Sequence, residues 1–295
     1  MVPLRSLGIG VAALKSFSRR AFSLTLMIVI LGGVALALWG IALVSVPAYA
    51  QGSLVLYDDF SAPDIDPAKW AGGEFGGVGR EAVRLSSNGQ LHLAYRSYGF
   101  TNSDTGTSGG FLTLNFINPA AVTTIRATVR VNGIQSTGCT TLGSATTTAR
   151  AEIHGRFFNT GTPVGGSSVG DVFAHIQISR FSTDTVLRVL ADVGQCIDAP
   201  CSQATILGGA NLGSIDLGIS ADLLLQWDQP NHQFVFQRDN GQPALVQYGD
   251  VVSDTAPPSQ QFKLLDINNF VANCTATPRP EGFVDAFFEN VRVNP

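Results

Sequence analysis

The sequence predicts an all-β domain built from two packed antiparallel sheets, and three observations predict it. From residue 54 onward, apolar positions recur with period two, the spacing of a strand with one face in a core and one in water. No stretch offers the 3.6-residue period of an amphipathic helix. Glycine-rich and small polar segments interrupt the pattern where turns would.

The clearest alternation lies in residues 124–131, Thr-Ile-Arg-Ala-Thr-Val-Arg-Val, and in 90–96, where Leu91, Leu93 and Tyr95 share one side. Further strands are expected at 54–57, 82–86, 111–116, 148–158, 171–180, 186–194, 223–228, 233–238, 261–267 and 283–293. Residues 72–79, 106–110, 161–170 and 208–213 read as glycine-rich turns. None is a phosphate loop, because each lacks the Gly-Lys-Ser/Thr ending and a following helix. About a dozen strands without helices, repeats or a dividing linker fit one β-sandwich over residues 51–295.

Residues 1–50 differ from the rest. Arg5, Lys15, Arg19 and Arg20 precede an apolar run from Phe22 to Val46, which ends at Pro47-Ala48-Tyr49-Ala50 before Gln51. Basic start, apolar middle and small-residue exit are the parts of a secretory signal peptide, and Ser18-Arg19-Arg20-Ala21-Phe22 resembles a twin-arginine signal. A retained membrane anchor is the alternative, since the run is long enough to span a bilayer. Signal cleavage would leave a secreted or periplasmic chain with no membrane partner.

That chain keeps 14 basic against 22 acidic residues, a formal charge of −8, with only Lys69 and Lys263 as lysines. No basic stripe remains to hold a phosphate backbone, so nucleic acid is excluded as a partner. Cys139, Cys196, Cys201 and Cys274 are even in number, as suits two disulfides in an oxidising compartment. Three pairings are open. Cys196–Cys201 would close a short loop, which leaves Cys139–Cys274. The spacing does not match a zinc site, and no metal or other cofactor is expected from it.

At both ends of the domain the sequence resembles a known family. Asp58-Asp59-Phe60 followed by Ile65-Asp66-Pro67-Ala68-Lys69-Trp70 looks like the opening of bacterial concanavalin A-like lectin and glucanase domains. Residues 283–293, Phe-Val-Asp-Ala-Phe-Phe-Glu-Asn-Val-Arg-Val, are similar to their closing strand. The resemblance implies a two-sheet antiparallel jelly-roll sandwich, with the first and last strands together in the outer sheet and sugars or catalytic carboxylates on the concave inner one. It also implies a polysaccharide or glycan partner, and a structural calcium ion near Asp58, Asp59 and Asp285. The laminarinase-type hydrolases of that fold carry Glu-x-Asp-x-Glu on one strand. None of Glu74, Glu81, Glu152, Glu281 and Glu289 begins that pattern.

The candidate site is a pair of strands with polar rows. Arg150, Glu152, His154 and Arg156 fall on one face of the first, and His175, Gln177 and Ser179 on one face of the second. If these strands are neighbours, their rows line one surface, which Arg126 and Arg130 could extend. Tyr95, Tyr98, Trp70 or Trp227 could then stack on sugar rings. Three readings stay open for Arg150, Glu152, His154, Arg156, His175 and Gln177. They form a solvated outer face, a sugar-binding groove or a catalytic surface. Arg150-Ala151-Glu152 resembles the Arg-x-Glu element of alginate-lyase-type enzymes, and His175-Ile176-Gln177 reverses their Gln-Ile-His.

The leading functional expectation is an exported lectin-like module that binds glycans. The alternatives are a polysaccharide lyase or glycoside hydrolase with a non-standard site, and a structural or adhesive surface protein. His92 and His232 show no catalytic partner in the sequence. Asn273-Cys274-Thr275 fits a glycosylation acceptor.

Overall fold

A computed structural model describes residues 53–295, apart from 77, 142, 162–163 and 250–252. The leader read over residues 1–50 lies outside the described residues. Those that are described belong to one compact unit, Gly52–Pro295. Among them, no helix is long and apolar enough to cross a membrane.

The described residues form fifteen strands and one short 3-10 turn, Gln229–Asn231. In order, the first seven are β1 (Val55–Asp58), β2 (Trp70–Gly76), β3 (Val78–Ser87), β4 (Gln90–Tyr98), β5 (Thr107–Phe116), β6 (Thr124–Ser136) and β7 (Thr148–Asn159). Then come β8 (Asp171–Phe181), β9 (Leu187–Cys196), β10 (Ala204–Ile215) and β11 (Ser220–Asp228). The last four are β12 (Gln233–Arg238), β13 (Ala244–Gln247), β14 (Lys263–Ala272) and β15 (Glu281–Val293).

They make the expected two-sheet antiparallel jelly-roll sandwich. An eight-stranded sheet runs β13-β12-β11-β6-β15-β4-β3, and β1 pairs with the far end of β15. A seven-stranded sheet runs β10-β9-β8-β7-β14-β5-β2. The first and last strands therefore meet in one sheet, Val55 opposite Val293.

Period-two patterning decides which face of each strand is buried. Leu91, Leu93 and Tyr95 on β4, Ile125, Ala127 and Val129 on β6, and Phe288 on β15 point into the sandwich. Ala151 and Ile153 on β7, Ala174 and Ile176 on β8, and Leu265 and Ile267 on β14 meet them from the opposite sheet. The polar residues between them are thereby turned to the outer surface of each sheet.

Three strands escape the sequence pattern. β2 and β10 occupy stretches read as glycine-rich turns, and β13 is only four residues long. β2 and β10 are edge strands that need glycine for close approach. A Cβ at Gly209 would come within 2.5 Å of the Asp192 carboxylate, and one at Gly208 within 2.6 Å of Val246. The stretch 106–110 is likewise mostly strand, because Gly110 makes room for the Tyr95 ring.

Both expected disulfides are present. Cys139 pairs with Cys274 across 135 residues of chain, and Cys196 with Cys201 across five. The sequon asparagine is committed to the fold. Asn273 Oδ1 accepts from Phe100 N and Ser108 Oγ, and its Nδ2 donates to the Thr105 carbonyl.

Candidate functional site

β7 and β8 are neighbours, as the polar-row reading requires, and β14 lies on the other side of β7. Antiparallel register places one residue of each strand directly opposite its partner, so side chains of equal parity gather on one face. One transverse row reads Thr113, Asp266, Glu152 and Gln177. The next reads Asn115, Leu264, His154, His175 and Asp192. A third holds Asn268, Arg150 and Ser179. Thr113, Asp266, Glu152, Asn115, Leu264, His154, His175 and Arg150 from these rows line a cavity of about 640 Å³ on the outer face of the seven-stranded sheet.

Arg150, Glu152, His154, Arg156 and His175 all line this groove. Gln177 is buried beside it and accepts a hydrogen bond from Arg150 Nη1 at 3.0 Å. Much of the wall is aromatic. Phe111 and Phe270 flank one side, Phe173 and Phe262 another, and the disulfide loop contributes Cys201.

Asp266 and Asn268 belong to the same constellation, although the sequence reading did not single them out. Their signal was there, since both alternate with core residues Leu265 and Ile267 on β14. Asn268 Nδ2 donates to Glu152 Oε1 at 2.8 Å and to Asp266 Oδ2 at 3.1 Å. Arg150 Nε lies 3.3 Å from Glu152 Oε2 and donates to Asn268 Oδ1 at 2.5 Å. His175 Nε2 meets Asp192 Oδ2 at 3.2 Å. Among the described residues, His154 Nε2 is buried without a hydrogen-bond partner, and Glu152 Oε2 and Asp266 Oδ1 are buried with no N–H donor.

The electrostatics separate the two carboxyls. Burial, and then the charge on Glu152, push Asp266 well above the usual carboxylate range. Burial alone would raise Glu152 too, but neighbouring positive groups, Arg150 foremost, hold it below its ordinary value. Burial pushes the His154 imidazole down to about 3, so it is neutral near pH 7. Its ring is packed edge-on by Phe173 and Phe262, with centroids 5.7 and 5.1 Å away.

No protein-family model matches the sequence, and neither does any curated protein. Several solved structures match it over most of their length. LamAcat from Zobellia galactanivorans is 12% identical, with a TM-score of 0.47 over 82% of this chain and 98% of that one. The catalytic domain of an endo-1,3-β-glucanase (laminarinase) from Thermotoga petrophila is 12% identical, with a TM-score of 0.43 over 82% and 99%. A β-1,3-glucanase from Mycobacterium marinum is 13% identical, with a TM-score of 0.43 over 82% and 99%. At such values the likeness assigns no activity or site residue to this chain.

Several residues expected near the site stand elsewhere. Arg126 and Arg130 lie on the eight-stranded sheet, where Arg126 pairs with Asp222 at 2.8 Å and Arg130 stacks on Phe287. Tyr95 and Trp70 are buried in the core, and Trp227 stacks on Phe158. Tyr98, on β4, is covered by Arg279. The aromatic surfaces of the groove are phenylalanines instead. His232 does have a partner, the buried Asp254, at 2.8 Å, and His92 has Asp285 at 2.9 Å.

Arg156 faces the groove but is committed to its wall. Its Nη1 reaches Ser168 at 2.7 Å and Asp171 at 3.1 Å.

The carboxylates considered for calcium have protein donors. Asp58 accepts from Phe60 N and Trp70 Nε1. Ligand atoms of Glu152, His154 and Asp266 do lie within 4.8 Å of one another, a spacing a metal ion could bridge. The Arg150 guanidinium already sets a fixed positive charge beside Glu152, which opposes a second cation there.

Proposed function

We propose that this chain acts on glycans as a glycoside hydrolase, with Asp266 as general acid and Glu152 as nucleophile. One observation carries the reading: two buried carboxyls on adjacent strands, driven apart in protonation, share the floor of one groove. Such a pair is the requirement for acid–base assignment. Retaining glycosidases likewise work with two carboxyls on one face, and here one oxygen of each accepts from the same Asn268 amide.

Asp266 would give its proton to the glycosidic oxygen while Glu152 attacks the anomeric carbon. The Asp266 carboxylate would then take a proton from the water that releases the sugar. Arg150, His154 and His175 supply polar contacts for hydroxyls, and the phenylalanine walls meet the apolar faces of the rings. The two disulfides suit work outside the cytoplasm.

The test is release of reducing ends from a panel of β-glucans and uronate-rich polysaccharides. Product is expected from the wild type, with a loss of roughly 10²–10⁴-fold in D266N. E152Q should abolish turnover. Product formation unchanged in both variants would refute the assignment.

A second reading has an observation of its own. Glu152 and Asp266 are each only 1% exposed, whereas the side chains of Arg150 and His154 are 17% and 23% exposed. A groove that contacts sugar only through the latter would be a lectin. It would retard the protein in a polysaccharide gel, lose that retardation in R150A, and release no product.

A further inference from the structure

We propose that Asn268 is the positioning residue of the Glu152–Asp266 pair: its amide holds one oxygen of each carboxyl and fixes Arg150 on the Glu152 side. The inference rests on the acid–base reading above for its catalytic meaning, but its geometry stands independently.

Asn268 is fully buried. An amide has two N–H donors and two acceptor lone pairs. Here both donors are used, one on each carboxyl, and the carbonyl oxygen takes Arg150 Nε. The orientation of the amide follows from these partners. Turned over, it would set its NH₂ against a guanidinium and its oxygen against two carboxyls, losing all three bonds.

Consequences follow for both acids. Glu152 Oε1 and Asp266 Oδ2 both accept from this amide, and the two carboxyls also lie in hydrogen-bond reach of each other, a contact that the acid proton of Asp266 completes. Arg150, held by the same amide, stands 3.3 Å from Glu152, and no described cation comes within ion-pair distance of Asp266. A symmetric pair of acids thus acquires unlike neighbours through one neutral residue.

The experiment is a ¹³C NMR titration of the side-chain carboxyl carbons, assigned with E152Q and D266N. Because the groups interact, the two midpoints belong to the pair. N268L keeps the volume and removes every donor, so the lower midpoint should rise by at least one pH unit. N268S, with one hydroxyl donor, should give a smaller rise and guards against a leucine variant that does not fold. If either variant keeps a wild-type amide spectrum and unshifted midpoints, Asn268 does not position the pair.

Activity separates this inference from the one beneath it. If wild type releases sugar, N268L should lose at least tenfold in kcat with KM within twofold. If no polysaccharide yields product, the hydrolase assignment falls, and the titration still decides the role of Asn268.

Discussion

Replacing Asp171 with alanine should destabilise the fold by about 3–5 kcal/mol, the cost of leaving a buried charge without its partner. Asp171 is completely buried, and both of its oxygens are used. Oδ2 accepts from Arg156 Nη1 and Gln260 N, and Oδ1 from Asn159 Nδ2 and Ser259 N at 2.7 Å each. One carboxylate therefore ties β7 and β8 to the segment that carries Gln260 and Phe262 into the groove wall. Urea unfolding at neutral pH reads the loss directly.

A double variant sharpens the argument. Replacing a buried ion pair by apolar residues is often neutral. In R156M/D171L the charges are gone, yet the Ser259 and Gln260 amides still lack an acceptor. The double variant should recover part of the loss and remain less stable than wild type. If D171A unfolds at the wild-type midpoint, the wall does not depend on this carboxylate.

The strands that were legible in the sequence are those with one wet face. β4, β6 and β15 alternate because one side faces water and the other faces the opposite sheet. β10 and β2 were illegible because glycines there leave room for side chains of other strands, such as Asp192, Val246 and Arg84, and glycine carries no periodic signal.

The site divides in the same way. Arg150, Glu152, His154 and His175 could be placed on one face from parity alone, given that β7 and β8 are neighbours. Asp266 and Asn268 could not, because nothing local says that residues more than a hundred positions later pair with β7. Arg156 shows the limit of parity. It shares the face, but a bulge between Arg156 and Phe158 and the nearby Asp171 turn it into part of the wall.

Replacing Lys263 with methionine should stabilise the protein at neutral pH, by roughly 2–4 kcal/mol. Lys263 is 3% exposed, and its position on β14 directs it between the sheets, opposite Gly155. A Cβ at Gly155 would come within 2.2 Å of the lysine stem, so glycine there makes room for it. The ammonium donates to the Arg156 carbonyl and sits 4.3 Å from the centre of the Phe157 ring, with no carboxylate in ion-pair distance among the described residues. Burial pushes its pKa down to about 7. The unfolded chain keeps the ordinary value near 10.5. The folded form therefore binds fewer protons than the unfolded chain between those two values, and stability must rise with pH across that window. Below about pH 7 both states are protonated and the fold carries the whole penalty. A gap of this size corresponds to about 5 kcal/mol at 1.36 kcal/mol per unit, of which methionine returns less because it forfeits the hydrogen bond to Arg156. Unfolding free energies of wild type and K263M, measured from pH 6.5 to 9.5, should differ most at the acid end and converge toward the alkaline end. Subtracting the two curves cancels every other titrating group. A constant difference across that range would show that Lys263 keeps its charge, and that the carbonyl and the ring suffice to hold an ammonium inside the sandwich.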